Sequence, residues 1–211
     1  MAGVGATTRR PHVWKPATDA GSARTLLLLH GTGADERDLL GLGKAIDPNA
    51  NLLSPRGLVV ADGMARFFLR YPDGRFDEAG IIANADELAE FVAAAAFEYG
   101  FDESKVWAVG FSNGANAAGS LLLLHPETLQ GVVAFGTTKS FQAPPKRIPA
   151  LAGKRVFIAN GKLDDYSPAD KTDAMVREFR QYGAEVELMM HAGGHTISHE
   201  HVKRIAAALE G

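Results

Sequence analysis

The sequence contains no cysteine among its 211 residues. This absence excludes disulfide bonds, a thiolate nucleophile and every metal site that is built on Cys ligands. If the protein forms a covalent intermediate, its nucleophile must come from another side chain, for example a hydroxyl group.

Long apolar runs and an excess of basic residues are also missing. No apolar run, including the one around Leu121 to Leu124, comes near the roughly 20 residues that a membrane-spanning helix needs. No apolar segment follows Arg9-Arg10, so a secretory or twin-arginine signal is not expected. The formal net charge of −3 offers no basic surface for nucleic acid. We therefore expect a cytoplasmic protein with no membrane span and no nucleic-acid partner.

The segments that are present alternate between strand-like and helix-like patterns. Continuous apolar runs, typical of strands buried on both faces, occupy residues 24–30, 105–109 and 131–135, and further strands are predicted at residues 155–160 and 185–190. Helical patterns lie between them, with Asn84 and Ser167 as expected N-caps of two helices. This order predicts an α/β fold with a mostly parallel central sheet flanked by helices. We expect one domain over residues 1–211, with a flexible tail at residues 1–10 and no large cap domain.

The most informative motif is Gly110-Phe111-Ser112-Asn113-Gly114, which lies between a predicted strand and a predicted helix. In this context G-x-S-x-G forms a sharp turn that exposes the serine hydroxyl at the carboxyl edge of the sheet. Bulky side chains at Gly110 or Gly114 would collide with the strand and the helix. Ser112 is therefore the candidate nucleophile, although the motif alone occurs often by chance.

A second loop, His30-Gly31-Thr32-Gly33, follows the first buried strand. Acyl transfer needs two N–H donors for the oxyanion of the tetrahedral intermediate. We assign these donors to the backbone N–H groups of Thr32 and Asn113, and we expect the Asn113 side chain to matter less than the shape of the turn. The alternative is that the glycines only form a strand-to-helix turn. A phosphate-binding loop is disfavoured, because neither common glycine-rich phosphate motif is completed.

Two later loops supply an acid and a base in the required chain order. Asp164 and Asp165 follow the strand at residues 155–160, and His195 follows the last strand in the sequence Gly193-Gly194-His195. A triad acid orients the histidine, and the histidine moves the proton of the nucleophile. We select Asp164 as the acid and His195 as the base.

Histidines cluster near the end of the chain, at His191, His195, His199 and His201. Gly193-Gly194 argues against a helix that would place His191 and His195 on one face, and His199 and His201 are two residues apart. We therefore expect no metal and no cofactor, although a metal-dependent hydrolase stays an alternative.

The segment from Arg56 to Gly80 has an irregular pattern and carries Arg66, Phe67 and Phe68. These three residues are the candidates for substrate binding, in an open site. The alternative is that both phenylalanines are core residues.

Several motifs together resemble one known family, the phospholipase/carboxylesterase branch of the α/β-hydrolases, which includes acyl-protein thioesterases and small bacterial carboxylesterases. The resemblance lies in LLLLHGTGADERDLL, LLSPRG, GMARFF, VGFSNGANAAGSLLL, NGKLDDYSP and AGGHTIS, and it covers nearly the whole chain from about Thr25. It implies a catalytic triad of Ser112, Asp164 and His195, with Thr32 and Asn113 as oxyanion donors. The loop at residues 135–139 departs from the pattern, which leaves substrate specificity open.

The resemblance implies a serine hydrolase that cleaves small-molecule carboxylic esters, with thioesters as a further candidate class, through an acyl-enzyme. A free imidazole titrates near about 6.5, so activity is expected to fall on the acid side of neutrality. Homodimers occur in this family, so a homodimer is a further possibility. Alternatives are a dienelactone-hydrolase-like lactonase, a small serine peptidase, or a non-catalytic ligand-binding module on the same scaffold.

Overall fold

The computed structural model describes residues 10–21, 23–143, 145 and 150–210. Within this part of the chain the strands are β1 (His12–Lys15), β2 (Thr25–Leu29), β3 (Asn51–Pro55), β4 (Val59–Ala61), β5 (Met64–Arg66), β6 (Val106–Phe111), β7 (Gly131–Phe135), β8 (Arg155–Gly161) and β9 (Glu185–His191). The α-helices are α1 (Leu40–Ile46), α2 (Glu78–Tyr99), α3 (Asn113–Leu124), α4 (Ala169–Gln181) and α5 (His199–Glu210). Residues 1–9 of the expected tail lie outside the described residues, whereas Arg10 is buried and pairs with Glu87 at 2.9 Å.

Seven strands form one sheet in the order β1-β3-β2-β6-β7-β8-β9. Only the edge strand β1 runs antiparallel to its neighbour, and the other five pairs are parallel. Strands β2, β6, β7, β8 and β9 therefore end at the same edge of the sheet. The loops that carry the candidate site residues all leave from this edge, which is where open α/β sheets place their sites.

The continuous apolar runs follow from helices on both faces of the sheet. Along β2, Leu27 and Leu29 pack into the core beneath α2, α3 and α4, whereas Leu26 and Leu28 pack into the core beneath α1 and α5. A strand with both faces buried carries mainly apolar side chains on both faces, so the alternation of an exposed sheet is absent. The prediction of a mostly parallel sheet flanked by helices, without a large cap, is confirmed.

The start of α2 differs from the sequence-based prediction. Asn84 was expected to cap this helix, but α2 begins at Glu78, and the Asp77 side chain accepts a hydrogen bond from the Gly80 N–H at 3.1 Å. Both positions offer a capping side chain. The helix begins at the earlier position because Ile81 then packs against the core as part of α2. A helix that began at Asn84 would not include Ile81.

The segment expected to be irregular contains a two-stranded hairpin of β4 and β5. Its second strand is joined to the loop after β2, because the Gly33 N–H donates to the Ala65 carbonyl at 2.8 Å. The hairpin therefore supports the loop that carries Thr32. In the described part of the chain, no helix is both long and apolar enough to cross a membrane.

Candidate active site

Ser112 lies at the apex of a tight turn between β6 and α3. Its φ of 54° and ψ of −118° place a non-glycine residue in a strained region, which is the geometry expected of a nucleophile elbow. A Cβ atom at Gly110 would run into the backbone of Gly114, and one at Gly114 would run into the backbone of Leu29. These contacts explain why the motif needs glycine at both positions.

The two expected oxyanion donors face the same edge of the sheet. Thr32 is exposed after β2, and Asn113 is the first residue of α3, where an N–H has no partner within the helix. Neither N–H donates to any acceptor within the described residues. The partial positive charge at the start of α3 adds to the stabilisation of a negative charge at this point. Both donors are therefore available to a ligand.

The buried side chain of His30 fixes the start of the loop that carries Thr32 through two hydrogen bonds. Its Nε2 accepts a hydrogen bond from the Gly57 N–H at 3.0 Å, so its Nδ1 carries the proton and donates to the Gly31 carbonyl at 2.7 Å. Burial lowers the pKa of His30, and this effect outweighs the bond to Gly31 and the nearby acids. The neutral imidazole, with both nitrogens hydrogen-bonded, therefore has a structural role and joins the loop after β2 to the backbone at Gly57.

Asp164 accepts four hydrogen bonds in a buried position. Oδ1 accepts from the N–H groups of Tyr166 and Ser167 at 2.9 and 3.3 Å, and Oδ2 accepts from the Ser167 hydroxyl and from His195 Nδ1. Burial raises the pKa of Asp164, but the hydrogen bonds from Ser167, His195 and Tyr166 outweigh it and leave the pKa below its ordinary value. The carboxylate is therefore held in its charged form.

Ser167 does not cap α4, as the sequence pattern had suggested. The helix begins at Ala169 after Pro168, without a capping side chain, and the Ser167 hydroxyl is bound to Asp164. Asp165 is exposed, and no hydrogen bond joins it to the site within the described residues. The sequence predicted Ser167 to be the N-cap of α4, whereas in the structure its hydroxyl binds the candidate acid Asp164.

His195 is bound by Asp164 at 2.8 Å between Nδ1 and Oδ2. This bond leaves its Nε2 available to accept a proton. The His195 loop is fastened to the Asp164 loop, because the Leu163 N–H donates to the Gly193 carbonyl at 3.0 Å. Gly136 passes beneath the ring with a φ of 59°, and a Cβ there would lie 2.8 Å from His195 Cε1. The loop after β7 therefore needs glycine for the imidazole to fit.

Tyr166 contacts all three residues of the expected triad. Its N–H binds Asp164, its ring centroid lies 4.9 Å from that of His195, and its hydroxyl interacts with the hydroxyl of Ser112. Burial raises the pKa of Tyr166 to about 12, so the phenol stays protonated at neutral pH. No hydrogen bond joins Ser112 to His195 among the residues described. The serine hydroxyl can turn about its χ1 bond toward the imidazole, and catalytic hydrogen bonds are often long or poorly aligned in apo sites.

A chain of buried polar side chains, which we call the polar chain, connects Asp164 to helix α3, which begins directly after Ser112. Its members are Ser167, Thr172, Asn160, Thr137 and Asn116. The Thr172 hydroxyl binds the Ser167 carbonyl at 3.1 Å and accepts from Asn160 Nδ2 at 2.8 Å. Asn160 also accepts from the Thr137 N–H at 2.9 Å, and the Thr137 hydroxyl donates to Asn116 Oδ1 at 3.2 Å. The polar chain thus joins α3, α4, β8 and the loop after β7.

The Asn113 side chain has a larger part than expected. Its Oδ1 accepts from the Phe67 N–H at 2.7 Å, and its Nδ2 donates to the Phe68 carbonyl at 3.1 Å, both in a buried setting. The side chain therefore ties the start of α3 to residues 67 and 68. The expectation that this side chain matters less than the shape of the turn took no account of these two bonds, and it stays a prediction.

The structure brings none of the three expected substrate-binding side chains to an open surface. Phe67 and Phe68 are 1% and 0% exposed and belong to the hydrophobic core. Arg66 is also buried, and its guanidinium donates to the Ala61 carbonyl at 3.0 Å. These positions match the alternative interpretation, in which the aromatic residues are part of the core, and only their backbone reaches the site through Asn113.

Among the described residues, no group of three His, Asp or Glu side chains is arranged to hold a metal ion. His191 and His201 are ring neighbours, with centroids 5.4 Å apart. Both ring nitrogens of His191 are engaged, since Nδ1 accepts from the Gly193 N–H and Nε2 binds the Thr196 carbonyl. His191 therefore has no lone pair to offer to a metal.

Comparison with known proteins identifies the family of the chain. A family model described as Phospholipase/Carboxylesterase matches residues 13–210. A curated relative, the putative hydrolase MhqD of Bacillus subtilis (strain 168), is 39% identical over 187 residues, which are 89% of this chain and 91% of the relative.

Two solved structures show the same architecture. The carboxylesterase of Bacillus cereus has a TM-score of 0.91 and 37% identity, with 96% of this chain and 94% of that chain covered. A carboxylesterase from Mesorhizobium loti has a TM-score of 0.82 and 31% identity, with 89% and 88% covered. The chain therefore belongs to the phospholipase/carboxylesterase family of hydrolytic enzymes, and it has the α/β-hydrolase fold of that family.

Proposed function

We propose that the protein is a serine esterase that hydrolyses small-molecule carboxylic esters, and thioesters as a secondary class, through an acyl-enzyme. The observation that carries this proposal is the pairing of a buried, charged Asp164 with His195 Nδ1 at 2.8 Å, beside a strained serine turn. This arrangement fixes the imidazole tautomer with Nε2 unprotonated. Only that tautomer can accept the proton of a serine hydroxyl.

In the proposed mechanism, Ser112 attacks the ester carbonyl while His195 Nε2 accepts its proton. The N–H groups of Thr32 and Asn113 bind the oxyanion, and the loss of one such donor typically costs about 3–4 kcal/mol of transition-state stabilisation. The resulting imidazolium is stabilised by Asp164 and returns the proton to the departing alkoxide. Water then attacks the acyl-Ser112 ester with His195 as base, which releases the acid and restores the serine.

Labelling and kinetics test this proposal together. A fluorophosphonate should form one covalent adduct, located on Ser112 by mass spectrometry, and Ser112→Ala should abolish both the adduct and the hydrolysis of short p-nitrophenyl esters. Ser120→Ala is a matched control, because Ser120 is a buried serine of the same helix α3 that no described residue hydrogen-bonds. Retained hydrolysis in Ser112→Ala would refute the proposal.

Three further arms address the alternatives. Activity that disappears with EDTA would support a metal-dependent hydrolase, and a chain that binds esters without turnover would support a non-catalytic module. A series of acyl-chain lengths, a thioester and a lactone would separate the substrate classes. The homodimer stays a prediction, which light scattering coupled to size-exclusion chromatography decides.

A further inference from the structure

A groove of about 430 Å³ opens beside the candidate triad. One wall is the turn from Arg70 to Glu78, the opposite wall is the loop from Thr138 to Gln142, and Tyr166 lies between them. Because the ring of Tyr166 also contacts His195, the groove and the triad share this residue as a common wall. A substrate bound at Ser112 therefore has space for one of its two arms in this groove.

Arg70 is a charged residue of the groove that lies over this shared wall. Its guanidinium carbon lies 5.0 Å from the ring centroid of Tyr166 and 5.7 Å from that of Phe76. Its Nε donates to the Gly74 carbonyl at 3.1 Å, and its backbone forms a β-bridge with Phe76. The side chain is thus held over the aromatic rings. Its two terminal nitrogens have no carboxylate partner within the described residues and stay available for a bidentate anion.

The other charges of the groove have partners or lie on its rim. Arg75 pairs with Asp73 at 2.7 Å, and Lys139 pairs with Glu178 at 3.4 Å. The Glu78 carboxylate accepts from the Gln142 N–H at 2.7 Å. Asp170 and Lys171 are exposed neighbours in the first turn of α4 and oppose each other in charge. Among the described residues of the groove, Arg70 and Lys171 are thus the cations without an ion pair, and Arg70 is the one held over the ring of Tyr166.

A second observation points to a polar ligand on the opposite wall. Thr138 lines the groove and is 3% exposed, and its Oγ1 has no hydrogen-bond partner within the described residues. Such an orphaned hydroxyl costs stability unless something binds it. The hydroxyl oxygen itself is buried, and a rotation about χ1 is the movement that would bring it to a ligand oxygen in the groove without moving the backbone.

We propose that this groove takes a carboxylate carried by one arm of the ester, so that the preferred substrates are half-esters of dicarboxylic acids or esters of hydroxy acids. The proposal rests on the esterase function above and names its substrate class. Arg70 binds the carboxylate through its terminal nitrogens, and the Thr138 hydroxyl donates a further hydrogen bond. The two sources of the carboxylate, the acyl arm and the alcohol arm, share this chemistry.

Two pairs of esters separate the two sources. For the acyl arm, the p-nitrophenyl monoester of adipic acid is compared with the same ester of adipamic acid, in which a neutral amide replaces the carboxylate. For the alcohol arm, butyryl glycolate is compared with butyryl glycolamide in a pH-stat. We expect kcat/KM of the wild type to favour the charged member of one pair by roughly 10-fold, as one charge-assisted interaction at a partly exposed site would give.

Variants locate the source of this preference. Arg70→Gln should reduce the charged-to-neutral ratio to about one, and Thr138→Val should reduce it about threefold, through the loss of a neutral donor. Arg177→Gln is the matched control, because Arg177 is an exposed arginine of α4 that does not line the groove, and it should keep the wild-type ratio. The wild-type ratio should also fall as salt rises. A wild-type ratio of one in both pairs, or an unchanged ratio in Arg70→Gln, would overturn the inference.

A binding measurement keeps the inference distinct from the proposed function. Adipate is titrated calorimetrically into Ser112→Ala and into Ser112→Ala with Arg70→Gln. We expect the dissociation constant of adipate to be roughly 10-fold larger for the variant that also carries Arg70→Gln. Equal dissociation constants would overturn the carboxylate site. If the wild type hydrolyses none of the four esters, the esterase function fails, and the calorimetric comparison still decides whether the groove binds a carboxylate.

Discussion

Replacement of Ser167 by alanine tests how the charge of the buried acid is maintained. The hydroxyl of Ser167 is one of four donors to Asp164, and both residues are almost fully buried. Hydrogen bonds to charged groups contribute about 1.5–3 kcal/mol each, so Ser167→Ala should lower the free energy of unfolding by about that amount at neutral pH. The remaining donors keep Asp164 ionised. We therefore expect kcat/KM to fall only about tenfold, compared with roughly 10⁴-fold for Asp164→Asn.

The pH dependence gives this prediction a second signature. The pKa of Asp164 is depressed in the folded state, so its stabilising contribution is present above the unfolded value of about 3.9 and is lost as pH falls through the folded value. Ser167→Ala removes one of the bonds that depress this pKa. The stability deficit of the variant should therefore be constant from about pH 5 to pH 8 and shrink in more acidic solution.

Urea denaturation of the wild type, Ser167→Ala and a control measures both quantities. The control is Ser120→Ala, since Ser120 is equally buried but its hydroxyl has no partner among the described residues, and its removal should be close to neutral. A double-mutant cycle with Asp164→Ala should give a coupling energy of about 1.5–3 kcal/mol. If Ser167→Ala is as stable as Ser120→Ala, or if the coupling energy is below about 0.5 kcal/mol, the assigned role of Ser167 is wrong.

Three other perturbations test the remaining parts of the site. Asn113→Ala should destabilise the protein by about 2–4 kcal/mol in thermal or chemical denaturation, because it leaves the Phe67 N–H and the Phe68 carbonyl buried without partners. A loss of stability below about 0.5 kcal/mol would contradict this account. Gly136→Ala should lower kcat more than 10-fold in steady-state assays, because its Cβ displaces the His195 ring and its positive φ is strained, and an unchanged kcat would show that the ring can move. Removal of divalent metals with EDTA should leave kcat/KM unchanged, since both nitrogens of His191 are hydrogen-bonded, and lost activity would contradict the metal-free mechanism.

The parts of the site that depend on local geometry could be predicted from the sequence. The sharp turn at Ser112 needs glycine at two fixed positions, and the required order of nucleophile, acid and base follows from strands that end at one edge. The choice of Asp164 over Asp165 agrees with the bond to His195. These features are encoded within a few residues of each motif, so no long-range packing was needed to find them.

The parts that depend on distant partners could not be predicted. The side chain of Asn113 binds residues 67 and 68, more than forty positions away, and the fit of Gly136 beneath His195 depends on the mutual position of two loops. Ser167 is a different case, because its partner Asp164 is only three residues away; the local pattern fits both a helix cap and a donor to Asp164, and it does not choose between them. Sequence periodicity describes which face of an element is apolar, but it does not specify which polar groups meet across elements.

The polar chain from Ser167 to Asn116 has a consequence for attempts to change substrate specificity by exchanging loops between relatives. The loop after β7 forms a wall of the groove, and it is also bonded through Thr137 to Asn116 and Asn160. A foreign loop that lacks these partners would leave buried amides unsatisfied and would loosen the support of the acid. Successful exchange therefore requires that the loop be transplanted together with residues 116, 160 and 172, so that the buried hydrogen bonds between them are preserved.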